Sequence, residues 1–277
     1  MAHSGIDAFF VEGAAGRLFC LLHEPSTVGA PKGAVVYLAP FAEEMNKSRR
    51  MAALQARALA GLGWWVLQPD LYGCGDSEGD YRTASWSIWQ ADASLVFDIL
   101  AEKSGLRPAL WGMRAGCLLA ASVALVKPGP HRLLFWQPVT RGKQHLQQFL
   151  RMRIAGAMLS SKRGNGEDTN SMRAQLRAGT PIEVAGYMLA PDLALGLESA
   201  ALSAPPDGGR LSWFEVSRST APEIAIASRQ AIGCWKSAGW QVDATAVAGA
   251  AFWQTQEIEE VPALIAATSL DMSEASG

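Results

Sequence analysis

The chain predicts an α/β architecture in which a mostly parallel central sheet is flanked by helices and carries an inserted helical lid. Three observations lead there. Short β-branched apolar runs bounded by Gly and Pro alternate with helix-period segments as far as about residue 138. The alternation breaks from Thr140 to Ala204, where helical stretches follow one another. It then resumes to the C-terminal end, as crossover helices between parallel strands require.

The elements follow in order. DAFFV (7–11) and RLFCLL (17–22), separated by EGAAG, predict an antiparallel hairpin. AVVYLAP (34–40) is apolar throughout, as a strand covered on both faces should be. Met51, Leu54, Ala58 and Leu62 recur at helical spacing over 48–62, and Gly63 closes that helix as a C-cap glycine would. WWVLQPD (64–70) is the next strand and the glycine-rich LYGCGDSEG after it a loop. A helix over 85–100 places Trp86, Trp89, Leu95 and Ile99 near one face; PALWG (108–112), a helix over 114–126 and RLLFWQP (132–138) continue the rhythm.

Within the insertion, residues 142–159 form a long helical stretch, RGNGEDTNS (163–171) reads as mobile, and a second helical piece lies near Met172–Arg177. IEVAGYML and a short helix near Asp192–Ala201 complete it, ending at the SAPPDGG breaker (203–209). LSWFEVS (211–217), a helix over 225–238, WQVDATAV (240–247) and a helix after Pro262 restore the alternation. The expected organisation is therefore a core of 1–139 and 205–277 with 140–204 as the lid.

Composition excludes several classes of function. At 277 residues the chain can bury a sizeable interior without staples. A net charge of −2 with dispersed Lys and Arg offers no basic face to nucleic acid. The longest apolar run, Ala115 to Val126, is short of the roughly 20 residues a membrane span needs, and MAHSGIDAFF lacks the features of a secretory signal. Cys20, Cys74, Cys117 and Cys234 have neither disulfide-framework nor zinc spacing, so a reduced, cytoplasmic compartment and no metal are expected. The glycines of GCGDSEG lack dinucleotide-binding spacing and no GxxxxGK[ST] occurs, so no cofactor is expected. The ten tryptophans read as core residues before they read as a cleft lining.

WGMRAGCLLA (111–120) carries the chemistry question. A strand, a Gly-x-nucleophile-x-Gly turn and a helix make up the nucleophile elbow of the α/β-hydrolase fold, and Gly112 and Gly116 supply the two positions where only glycine lets the chain pass. The tip is Arg114, which has no nucleophilic form. Together with LAPFAEEMNKSRR (38–50), QPDLYGCGDSEGD (68–80), FWQPVTRGKQHLQQFLRMR (135–153) and VAGYML (184–189), this segment resembles the second hydrolase-type family associated with the exosortase A, or PEP-CTERM, system of bacteria. The resemblance runs over nearly the whole chain. It implies the α/β-hydrolase fold and an association with extracellular polysaccharide and protein-sorting loci.

The triad order of that fold ends in a histidine near the C-terminus. The histidines are His3, His23, His131 and His145, and the segment where the base would fall, VAGAAFWQ (247–254), offers Phe252 and Trp253. Ordinary Ser-His-Asp chemistry is therefore not expected. Cys117 reads as a buried structural thiol, Ser77 as a turn residue, and His145 as an exposed lid residue ahead of a catalytic one.

Two readings of Arg114 stay open. At a helix N-terminus a guanidinium can anchor an anionic small molecule or chain end, with Phe41 and Ala115 beside it and Arg49, Lys143, Lys47, Arg50 and Arg141 as further contacts. Alternatively it forms an internal ion pair with Glu43, Glu44 or Asp70. An active ester or thioester hydrolase remains as a second function: a carboxylate (Glu43, Glu44 or Glu183) would activate water while Arg114 stabilises the oxyanion of an acyl or glycan substrate.

Overall fold

The computed structural model describes residues 5–159 and 168–274. Eight strands form one sheet: β1 (Ile6–Glu12), β2 (Arg17–His23), β3 (Gly33–Leu38), β4 (Trp64–Pro69), β5 (Ala109–Met113), β6 (His131–Trp136), β9 (Gly209–Ser217) and β10 (Gln241–Ala248). Their order is β1-β2-β4-β3-β5-β6-β9-β10. β2 runs antiparallel to both its neighbours, and every pairing from β4 to β10 is parallel. Crossover helices make that possible: α1 (Glu43–Gly61), α2 (Trp86–Ser104), α3 (Gly116–Val126), α7 (Ile226–Ser237) and α8 (Pro262–Ser273).

Both faces of the sheet are covered, which explains the unbroken apolar runs of its central strands. In β3 the side chains alternate between two cores: Val36 and Leu38 pack into one with α2 and α3, Val35 and Tyr37 into the other with α1 and α8. Nine tryptophans are buried and the tenth, Trp65, is half-buried, so their main role is packing.

Several local expectations shift. The helix expected over 48–62 starts at Glu43, which moves the Glu43–Glu44 pair from a loop into a first helical turn, where the dipole favours negative charge. The elbow helix starts at Gly116, leaving Arg114 as the turn itself. Of the stretch expected to be mobile, 163–167 lies outside the described residues; Asp168 accepts from the Ser171 N–H and closes a capping box on α5 (Thr169–Arg177).

Between β6 and β9 lie α4 (Gly142–Leu159), α5, the two-stranded hairpin β7 (Ile182–Val184) and β8 (Tyr187–Leu189), and α6 (Pro191–Ser199). Ala185 and Gly186, both at positive φ, form the hairpin turn that two-residue loops favour. α4 and α6 pack on each other, and α6 also contacts α2.

Candidate functional site

The site sits at the C-terminal ends of the central strands. Three residues other than glycine hold positive φ just beyond adjacent strands: Ala42 (52°) after β3, Arg114 (54°) after β5 and Gln137 (44°) after β6. Such conformations cost roughly 1–3 kcal/mol each and persist where the surroundings over-determine them. At the elbow the surroundings are the glycines. A Cβ on Gly116 would lie 2.0 Å from the Leu38 carbonyl oxygen, and one on Gly112 would lie 2.6 Å from the Cys117 Cα. The strand, tight turn and helix of an α/β-hydrolase elbow are thus present with Arg114 at the tip.

Arg114 is not free. Its Nε donates to Glu44 Oε1 at 3.2 Å and Oε2 at 3.3 Å, its Nη2 to Oε1 at 3.1 Å, and its Nη1 to the Gln137 carbonyl at 3.4 Å. The pair is largely buried, 12% and 16% exposed. Trp253, in the segment where a triad would place its base, lies against the guanidinium with its ring centroid 5.4 Å away.

Next to the pair is a cavity of about 310 Å³ lined by Phe41, Glu43, Glu44, Lys47, His145, Gln148, Phe149, Met152, Trp253 and Gln254. The α4 contribution has a simple periodic origin, because His145, Gln148, Phe149 and Met152 fall at intervals of one and two turns on one face. That periodicity was available in the sequence as a signal for these lining residues. His145 is a correction: it is buried, not exposed. Neither of its ring nitrogens has a hydrogen-bond partner, and Nε2 stands 3.8 Å from Glu44 Oε2. Burial pushes its pKa below the ordinary 6.5, with Glu44 opposing that shift and Arg114 reinforcing it.

The other candidates divide. Glu43 Oε2 accepts from the Tyr187 hydroxyl at 3.3 Å, tying β8 to the first turn of α1. Lys47 reaches the cavity wall while its Nζ donates to the Thr255 carbonyl at 2.8 Å. Phe41 lines the cavity, and Ala115 is buried in the elbow beside Arg114. Arg49 points elsewhere, pairing with Asp70 at 3.0 Å beside a separate cavity of about 160 Å³. Glu183 is exposed on β7, Lys143 and Arg141 are exposed near the start of α4, and Arg50 pairs with Glu260 on the surface; none of the four lines the cavity beside Arg114. Asp70, the other possible partner for Arg114, serves Arg49 and the Asp76 N–H instead.

The remaining candidate nucleophiles are structural. Burial pushes the Cys117 thiol well up, and Ser77 Oγ donates to the Asp70 carbonyl while accepting from the Phe19 N–H. Among the described residues no three His, Cys, Asp or Glu side chains cluster as a metal site would need, and no helix is long and apolar enough to cross a membrane.

No protein-family model matches the chain, and no curated protein matches it. Solved structures do. Est1E from Butyrivibrio proteoclasticus, solved with ferulic acid bound, superposes with a TM-score of 0.65 at 12% identity over 97% of this chain and 99% of its own. A thermostable carboxyl esterase from Bacillus coagulans, in complex with glycerol, gives 0.66 at 11% identity over 99% of both chains. XC6422 from Xanthomonas campestris, described as an α/β serine hydrolase without lid, gives 0.55 at 13% identity over 98% of this chain and 94% of its own. At such identities the likeness shows the fold, and the fold is that of the α/β-hydrolases.

Proposed function

We propose that this chain is a non-hydrolytic, ligand-binding protein built on the α/β-hydrolase fold, with residues 140–204 acting as a cap over the cavity. One observation carries the proposal: the nucleophile position holds an arginine that is bonded through Nε and Nη2 to Glu44 and covered by Trp253. No hydroxyl or thiol stands at the tip to attack an acyl group, and an indole occupies the segment that would supply the base. The cavity beside the pair has the volume and the mixture of aromatic walls and a few polar groups typical of small-molecule sites.

The Glu44 contact also bears on the kind of ligand. A guanidinium at the tip by itself favours an anion, yet the charge of Arg114 is already balanced, and Glu43 and Glu44 both line the cavity. A ligand carboxylate or phosphate would meet two carboxylates there and Lys47 as the lining cation, so an uncharged, partly apolar molecule fits better. The resemblance of the sequence motifs to the exosortase-associated hydrolases supports a place among bacterial exopolysaccharide and sorting functions, and the cysteine usage supports a cytoplasmic setting.

Ester or thioester hydrolysis by a carboxylate-activated water is the second reading, favoured by the meeting of Glu44, Arg114 and His145 in one place. Against it, both Glu44 oxygens already accept from Arg114. The binding reading is tested by ligand-observed NMR titration of ethylbenzene into the wild type and Met152→Trp, which fills the cavity mouth from a half-exposed position. Saturable binding that the substitution abolishes is expected; no saturable binding by the wild type, either of ethylbenzene or of its hydroxylated analogue 2-phenylethanol, overturns the proposal.

A further inference from the structure

We infer that His145 is the recognition group of this cavity and that it selects a ligand carrying a neutral hydroxyl on an apolar body. The inference rests on the reading of the cavity as a ligand site and adds the chemistry of what enters it. His145 is 5% exposed, lines the cavity, and leaves both ring nitrogens without a hydrogen-bond partner. Buried polar atoms in native proteins are nearly always satisfied, so an unsatisfied imidazole in a cavity wall, its nitrogens closed to water, marks where a ligand group belongs once the ring shifts to meet it.

The geometry narrows that group. Burial disfavours the imidazolium, so the ring carries one donor nitrogen and one acceptor nitrogen. Nε2 and Glu44 Oε2 are 3.8 Å apart, too far to bond each other. An oxygen about 2.8 Å from each completes a triangle on that base, at ordinary hydrogen-bond lengths. With the ring proton on Nε2, a hydroxyl there accepts from Nε2–H and donates to Glu44 Oε2. A carboxylate at the same point has no proton to give and faces Glu44 as a like charge. An ammonium meets Nε2 in the other tautomer, where Nε2 accepts, but there it sits beside the like charge of the Arg114 guanidinium, which already bonds Glu44. Phe41, Phe149 and Trp253 supply the apolar walls for the rest of the molecule.

The test uses four probes of one shape: 2-phenylethanol, phenethylamine, phenylacetate and ethylbenzene, titrated by calorimetry and ligand-observed NMR against the wild type and His145→Phe and His145→Gln. The alcohol should bind the wild type roughly tenfold tighter than ethylbenzene, the factor one ordinary hydrogen bond supplies. It should also bind more tightly than the amine or the acid. His145→Phe should remove the advantage of the alcohol over ethylbenzene, and His145→Gln, which keeps a donor and an acceptor, should restore part of it. If ethylbenzene binds but the alcohol does no better, or the amine or acid binds best, the recognition role is overturned while the ligand-site reading stands. If no probe binds the wild type, the ligand-site reading fails and takes this inference with it. The four-probe comparison in the wild type decides the matter even if a variant folds poorly.

Discussion

Arg114, at the tip of a hydrolase elbow, donates through Nε and Nη2 to the carboxylate of Glu44, and the two side chains are only 12% and 16% exposed. A hydrolase of this fold keeps that space for an attacking atom and a carbonyl oxygen. Here it is filled by a charge pair whose members come from the first turn of α1, which follows β3, and from the turn after the neighbouring strand β5.

Removing one partner strands the other charge in a mostly buried place. Glu44→Gln is expected to lower stability by about 1–3 kcal/mol, discounted from a fully buried pair because water still reaches both groups. Denaturant unfolding checks this. Combining Glu44→Gln with Arg114→Met should cost less than the sum of the single changes, and strict additivity would show that the two side chains do not depend on each other.

The glycines make a second, opposed pair of predictions. Gly116→Ala puts a Cβ onto the backbone carbonyls of Leu38 and Ala39 and should destabilise by about 3 kcal/mol or more. Gly61→Ala, in the last turn of α1 with open space around it, should stabilise by roughly 0.5–1 kcal/mol. Thermal unfolding of the two variants reads both signs.

Most of the fold was legible in the sequence because its signals are local. The β-branched run at 34–40, the Gly63 stop and the two elbow glycines each have a steric cause that acts over a few residues. The Arg114–Glu44 contact spans 70 positions and depends on where α1 begins. The apolar periodicity of residues 48–62 pointed to a later start, so the partner stayed one of several. His145 was harder still. A histidine beside charged and glutamine residues reads as surface, and only the packing of α4 over Phe41 and Glu44 turns it inward. Arg49 and Glu183 show the converse: the right chemistry in the sequence, carried by the fold to other places.

Acid should weaken the protein through its buried histidines. Burial holds His145 below its ordinary 6.5, with Glu44, Glu43, Lys47 and Arg114 as the charged groups around its cavity, and His23 and His131 are lowered for the same reason. The unfolded chain takes up these protons first, so stability is full above about pH 6.5 and declines as pH falls below it. Denaturation at pH 7.5 and 5.5 should show the decline, and His145→Gln should show a smaller one. An equal decline in both proteins would mean that His145 is not held neutral by the fold.

Restoring a serine should not restore a hydrolase. In Arg114→Ser the triad's place for the base still holds Trp253, and the imidazole nearby, His145, stands 3.8 Å from Glu44 on a different element, so hydrolysis of p-nitrophenyl esters should stay at background. Ester turnover gained by this single change would show that His145 or Glu44 can act as the base.

The most direct measurement is turnover of a panel of short and long acyl esters and thioesters by the wild type, with Arg114→Ala run beside it. The binding account predicts no turnover above background in either protein. Turnover by the wild type that disappears in Arg114→Ala would contradict it and assign the Arg114–Glu44 pair to chemistry.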